Sequence, residues 1–210
     1  MKVMCISDIH GNIECLEKAI ERFREENAEK LIILGDFSSY YFSSSDFEVA
    51  EILNNMAGSI IAVKGNCDNS EIDGIFNFGL TYIRNITVNN VKITLTHGHI
   101  YNRNNLPEEC GQIFLYGHTH VGSIERIGDR IIANPGSISK PRGGSCKSYI
   151  TIDEENITLK KLDGEVIRKV SISNEVWFVS TFKIKIYCKH CRGRRHRRPE
   201  GIIGFAIYIF

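Results

Sequence analysis

Short apolar runs, each closed by glycine and then by an acidic, amide or imidazole side chain, recur along the first two thirds of the chain. Lys2 to Ser7 read as a strand that feeds the loop Asp8-Ile9-His10-Gly11-Asn12. Ile13, Leu16, Ala19, Ile20 and Phe23 then recur at helical spacing, which predicts a helix from about Ile13 to Asn27. Leu31-Ile32-Ile33-Leu34 is a second buried strand and ends in Gly35-Asp36. A Ser/Tyr-rich loop intervenes, a helix is predicted over about Asp46 to Met56, and Ser59 to Val63 form a third strand that ends in Gly65-Asn66-Cys67-Asp68. This β-α-β-α-β order belongs to sheets that hold ligands at the carboxyl ends of their strands.

The period then shortens to alternating strands with tight turns. Ile86-Thr87-Val88 and Val91-Lys92-Ile93 flank Asn89-Asn90, a two-residue hairpin signal, and the second strand runs through Leu95 into Thr96-His97-Gly98-His99. Ile113-Phe114-Leu115-Tyr116 reads as a buried strand closed by Gly117-His118-Thr119-His120. Ser123 to Ile127 and Arg130 to Ala133 flank Gly128-Asp129, a second hairpin. Asn134-Pro135-Gly136-Ser137 reads as a turn, followed by the strand pair Ser148–Ile152 and Ile157–Lys160. The whole predicts an α/β fold of two stacked sheets flanked by helices, one domain over residues 1–173.

At 42% hydrophobic and 24% charged, the 210 residues have ordinary globular composition. The net charge of +1 hides an asymmetry: 18 basic and 23 acidic residues up to residue 174, against 8 basic and 2 acidic beyond it. The first apolar run is too short for a signal peptide, and no run approaches the roughly 20 apolar residues of a membrane span. Seven cysteines without a framework of paired spacings read as reduced thiols in a cytoplasmic protein.

Collected at the strand ends are Asp8, His10, Asp36, Asn66, His97, His118 and His120. Oxygen and imidazole donors without thiolate suit Mn, Fe, Zn or Ni rather than a structural cysteine-zinc site. Asp36 can offer both carboxylate oxygens and so bridge two cations. His118 and His120, one residue apart in an extended segment, would point to opposite sides and serve different ions. Two cations that share one carboxylate can bridge a water and lower its pKa.

Asp8-x-His10, Gly35-Asp36, Gly65-Asn66-x-Asp68, the glycine-flanked His97 and Gly117-His118-x-His120 together resemble the motif set of the calcineurin-like metallophosphoesterases. The Thr96-His97-Gly98-His99 segment and its short connection to Gly117, with Asn134-Pro135-Gly136-Ser137 and Lys140-Pro141-Arg142-Gly143, are similar to the small YfcE-like phosphodiesterases. The resemblance spans about residues 1 to 165. It implies a four-layer α/β/β/α sandwich and a dinuclear centre. One ion would be held by Asp8, His10, Asp36 and His120, the other by Asp36, Asn66, His97 and His118, with manganese foremost. It further implies hydrolysis of phosphodiesters, and of monoesters as a further class, with no phosphoenzyme and with a small phosphate ester as substrate. Such small enzymes are often oligomers, which extends to this chain by analogy.

Asp68 and His99 are the candidate catalytic residues beyond the ligands. Asp68 is expected to orient an imidazole, since ligating histidines donate their other N–H to an acceptor. Cys67 stands where many members of the wider superfamily carry a histidine that assists the leaving group. A neutral thiol is a weak donor, so a preference for good leaving groups follows. Arg142 is a candidate phosphate fork against a default of solvated surface, and Ser38 to Phe42 a candidate wall of the cleft.

Residues 174–210 break the pattern: Val176-Trp177-Phe178-Val179, then Cys188-Lys189-His190-Cys191, a run of arginines, and an apolar end. A lone Cys-x-x-Cys is a weak zinc signal, and the arginines suit nucleic acid or an anionic lipid surface. A translated stretch unrelated to the domain, from a frame change near residue 174, is the leading explanation. The competing functional classes are a non-catalytic scaffold of the same fold, as in retromer, and a nuclease guided by this tail; retention of Asp36, Asn66 and all the histidines disfavours the scaffold.

Overall fold

The computed structural model describes residues 1–39 and 43–173. The elements in chain order are β1 (Val3–Ile6), α1 (Ile13–Glu25), β2 (Lys30–Ile33), α2 (Ser44–Asn54), β3 (Ile60–Ala62), α3 (Ser70–Asp73), β4 (Ile83–Val88), β5 (Val91–Thr96), β6 (Ile113–Leu115), β7 (Gly122–Ile127), β8 (Arg130–Pro135), β9 (Ser148–Ile152), β10 (Asn156–Lys161) and β11 (Val166–Ser171). A six-stranded sheet runs β11-β10-β9-β1-β2-β3 and a five-stranded sheet β4-β5-β6-β8-β7. Within the first, β1, β2 and β3 are parallel; within the second, β5, β6 and β8 are parallel.

The strands' double-sided apolar character has a direct cause. Val3, Cys5, Ile32, Leu34, Ile150 and Ile152 face a core shared with Ile93, Leu95, Ile113, Leu115 and Ala133 of the second sheet. The intervening Met4, Ile6, Leu31, Ile33 and Tyr149 face the opposite way, against Leu16, Ala19 and Ile20 of α1 and Val49, Ala50 and Leu53 of α2. On the outer face of the second sheet, Phe114, Tyr116 and Ile132 are covered by Tyr101, Leu106 and Cys110. The outermost layer there is the irregular connection between β5 and β6, and no helix among the described residues covers it.

Element ends are set locally. Asn12 caps α1 through a bond from the Cys15 amide to its Oδ1 at 2.9 Å. Asn27 takes φ 51° just beyond the helix, which stops it at Glu25, two residues short of the expected end. The Asp46 carboxylate accepts the Ser43 amide at 2.6 Å, so α2 starts at Ser44 rather than Asp46. Asn89 and Asn90 take φ of 49° and 65°, as a tight hairpin between β4 and β5 requires. Asn134 and Pro135, expected in a turn, instead finish β8, and the turn comes at Gly136 with φ 75°.

β11 is not expected from the sequence; it is an edge strand with no fully buried side chain, so it lacks a strong apolar period. The zinc, nucleic-acid and lipid-surface expectations for the tail, and the wall expected from Tyr40 to Phe42, lie outside the described residues. Among the described residues no helix is long and apolar enough to cross a membrane.

Candidate metal centre

The loops after β1 and β2 continue their strands' parallel pairing past the sheet. The Asp8 amide donates to Gly35 O at 3.1 Å, that of His10 to Asp36 O at 3.0 Å and that of Gly11 to Phe37 O at 2.8 Å. This ladder draws Asp8 and His10 alongside Asp36. Asp8, His10, Asp36, His118 and His120 all take positive φ, between 50° and 65°. Left-handed backbone is costly for residues with a Cβ, and its concentration at these five positions marks a site where surrounding contacts hold strain.

Two glycines permit the close approach. A Cβ on Gly65 would stand 2.1 Å from Asp36 Oδ1, and one on Gly117 would stand 2.0 Å from Ser7 Oγ and 3.0 Å from Asp8 Oδ2. Neither space admits a side chain, so the loops after β3 and β6 press their backbones onto the two carboxylates.

One donor atom each from Asp8, His10, Asp36 and His120 fall within 4.8 Å of one another. His120 Nε2 lies 3.2 Å from Asp8 Oδ1 and 3.3 Å from His10 Nε2, which is 3.8 Å from Asp36 Oδ2. On the other side of Asp36, His97 Nε2 lies 3.0 Å from Asn66 Oδ1 and 3.4 Å from Asp36 Oδ2, and the His118 ring centroid is 5.1 Å from that of His97. Asp36 Oδ2 therefore faces both groups. The Nδ1 atoms of His97, His120 and His10 bond to the carbonyls of Leu34 (2.7 Å), Lys140 (2.6 Å) and Ser38 (3.2 Å). Each of those rings thus turns Nε2 into the site.

These residues fit divalent cations. Asp8 Oδ1 is buried without a hydrogen-bond partner, and two imidazole nitrogens face each other beside it. Burial resists charging of His10 and His118, and His97 adds to the effect on His118, which favours neutral, ligating imidazoles. Burial opposes charge on Asp36 too, but hydrogen bonding and attraction from His97, with the Cys67 amide, outweigh it and hold the carboxyl well below its usual range. Burial likewise disfavours charge on His97 and His120, where Asp36 and Asp8 respectively prevail and raise both.

Of the seven strand-end residues, Asp8, His10, Asp36 and His120 form a cluster with metal-ligand geometry, while Asn66, His97 and His118 lie on the other side of Asp36. His118 and His120 turn to different sides on left-handed backbone at both residues, not on the extended segment expected. Asp68 also departs from expectation. Its carboxylate, 4% exposed, accepts the amides of Asp36 (2.8 Å), Gly65 (2.7 Å), Phe37 (2.8 Å) and Ser38 (3.4 Å), and the three imidazoles above are oriented by backbone carbonyls instead. Burial raises Asp68 to about 6, against the pull of those amides. His99 stands beside the second group, its ring 5.4 Å from that of His97 and 6.3 Å from that of His118, with Nδ1 buried and unpartnered. Burial pushes the Cys67 thiol up to about 12, with Asp36 adding to it, so the thiol is neutral.

Three supports escaped the sequence reading. Ser137 and Ser139 each donate a hydroxyl to the Asp8 carbonyl at 2.8 Å. Asn134, fully buried, donates to Gly117 O at 2.7 Å and Thr119 Oγ1 at 3.0 Å, bracing the loop that carries His118 and His120. For Asn134 and Ser137 the signal was the Asn134-Pro135-Gly136-Ser137 segment, read as a turn and as part of the family resemblance but not as a support of the centre.

The model of the calcineurin-like phosphoesterase superfamily domain matches residues 1–156. The chain is 36% identical over 183 residues to the phosphodiesterase YfcE of Escherichia coli, covering 82% of this chain and 99% of that protein. It is 30% identical over 164 residues to a phosphodiesterase of Methanocaldococcus jannaschii, covering 72% of this chain and 87% of that one. The solved structure of the E. coli phosphoesterase superposes with a TM-score of 0.76 at 34% identity, over 82% of this chain and 100% of that chain. Vps29 of Entamoeba histolytica, at 23% identity and a TM-score of 0.61 over 82% of this chain and 100% of its own, shares the fold.

Proposed function

This chain belongs to the calcineurin-like phosphoesterase superfamily, and from that membership we propose that it is a hydrolase of small phosphodiesters, with monoesters as a second class, dependent on two divalent ions. The observation that carries the reading is the convergence of donor atoms from Asp8, His10, Asp36 and His120 within 4.8 Å of one another, with a buried Asp8 oxygen that no hydrogen-bond donor satisfies. Asp8, His10, Asp36 and His120 would hold one ion and Asp36, Asn66, His97 and His118 the other, manganese before iron, nickel or zinc. Bound there, divalent ions lower the pKa of coordinated water toward neutrality and offset charge on the phosphoryl oxygens.

The chain's own residues supply the rest. The carbonyl bonds to three Nδ1 atoms aim the rings before any ligand arrives, so little reorganisation remains at binding. Asp68 acts on the reaction through the backbone of Asp36 to Ser38 and of Gly65, as a positioning residue. His99, uncharged through burial and the nearby His97 and His118, is assigned to the phosphoryl oxygens as a hydrogen-bond donor. Cys67 leaves the departing group without a proton donor at its position, so esters with good leaving groups are favoured. Five cysteines of the described residues are free thiols, which supports placing the enzyme in the cytoplasm.

The test is hydrolysis of bis(p-nitrophenyl) phosphate by the full chain, stripped with chelator and then reloaded with single metals, alongside metal content by mass spectrometry. Activity restored by manganese with close to two ions per chain is expected. Equal turnover by the stripped protein, or no bound divalent ion, would end the hydrolase reading and leave the scaffold.

A further inference from the structure

The segment Lys140 to Ser145 is fixed to the candidate centre from two sides. Ser137 Oγ accepts the amides of Ser139 (3.1 Å) and Lys140 (2.8 Å) while donating to the Asp8 carbonyl. The Lys140 carbonyl accepts from His120 Nδ1, the Arg142 amide donates to His120 O at 3.1 Å, and Ser145 Oγ bonds His120 O (3.0 Å) and Arg142 O (2.6 Å). The backbone under Lys140 and Arg142 is thus as well placed as the ligands themselves.

Their side chains are not used by the fold. Both residues are exposed, and among the described residues neither cationic group has a hydrogen-bond or ion-pair partner. Several other basic residues are paired: Lys64 with Asp73, Arg103 with Glu125, Lys160 with Glu26, and Lys147 with Cys15 Sγ. Among the described residues Arg24, Lys92, Arg168 and Lys169 are not, but none of these stands on backbone bonded to a residue of the centre. Both charges of Lys140 and Arg142 are carried beside the centre on backbone bonded directly to His120. Lys140 and Arg142 thus put two exposed, unpartnered cations on backbone bonded to His120, open to an anion beside the centre. A planar guanidinium fork and a flexible ammonium suit phosphate oxygens.

Resting on the phosphoesterase reading above, we propose that Lys140 and Arg142 select phosphodiesters that carry a second phosphate on the group flanking the scissile one. The pair is a specificity device: it adds binding where the substrate brings that second charge and none where it does not.

A matched pair of esters with one leaving group tests this: thymidine 5′-(p-nitrophenyl phosphate) and the same compound with a 3′-phosphate, assayed on the manganese-loaded full chain. Wild type is expected to show the lower KM on the 3′-phosphorylated ester. Arg142→Ala and Lys140→Ala should each raise that KM about fivefold, the scale of one solvent-facing charge pair, with kcat unchanged and the unphosphorylated ester within twofold. Arg142→Lys should recover part of the loss, and added salt should erase the preference. Equal KM for the two esters in wild type, or variants that shift both alike, would overturn the selection while leaving the phosphoesterase reading intact. A wild type that cleaves neither ester, even with manganese, would remove both.

Discussion

Asp68→Asn isolates the contribution of one buried carboxylate to the construction of the centre. Oδ2 accepts the amides of Asp36 and Gly65 at 2.8 and 2.7 Å, and Oδ1 those of Phe37 and Ser38 at 2.8 and 3.4 Å. Above its raised pKa of about 6 the group is ionised, so at pH 7.5 these bonds are charge-assisted. The substitution keeps the shape and turns one acceptor into an amino group facing N–H donors. At least one pair of buried amides then loses its partner, at about 1–3 kcal/mol each. A loss of about 3–5 kcal/mol in unfolding free energy follows, a large share of a typical domain's stability. Because one of the orphaned amides belongs to Asp36 or its neighbour Phe37, the variant should also bind manganese roughly 10–100-fold more weakly. Urea unfolding followed by circular dichroism, with metal titration of the chelated protein, measures both. A variant whose unfolding midpoint and manganese affinity match wild type would show that the four bonds do not set the position of Asp36.

Gly65→Ala should abolish manganese binding at the centre and lower kcat/KM at least about a hundredfold, because its Cβ would stand 2.1 Å from Asp36 Oδ1; Gly58→Ala, with nothing within 4 Å, is the silent control. Retained metal stoichiometry in Gly65→Ala would refute the close-approach argument. Glu26 accepts Lys160 Nζ at 2.6 Å, Lys2 Nζ at 2.5 Å and Tyr149 Oη at 2.8 Å; burial opposes its charge, but these bonds prevail and hold it at about 2. A depressed carboxyl adds stability above its ordinary pKa and loses it as pH falls through the folded value. The urea-midpoint gap between wild type and Glu26→Gln should therefore be full at pH 7 and close on acidification from about 4.5 toward 2; a gap unchanged at pH 3 would contradict the assignment. Cys67→His should raise turnover of diesters with poor, alkyl leaving groups more than that of p-nitrophenyl esters, and identical rate ratios would leave Cys67 as packing alone.

Much of the centre could be read along the chain because its ligands are written where strands stop. A buried parallel strand is an apolar run, and the residue after its closing glycine projects from the carboxyl edge of the sheet; Asp36, Asn66 and His118 were found by that rule alone. Cap and turn chemistry is equally local, as Asn12 and the Asn89-Asn90 hairpin show. What the chain order could not express was which distant group meets which. Asp68 sits in the same short motif as Asn66, yet three of its four amide partners lie about 30 residues earlier, and that choice depends on β2 and β3 being neighbours. Ser137 and Ser139 lie 129 and 131 residues from the Asp8 carbonyl they hold. The left-handed turn at His118 and His120 is unfavourable on its own and is imposed by contacts from Asn134, Asp8 and Lys140. Local pattern records burial and backbone preference, which act between near neighbours. Strain, orphaned amides and the aim of an imidazole are settled only when remote segments of the chain close on one another.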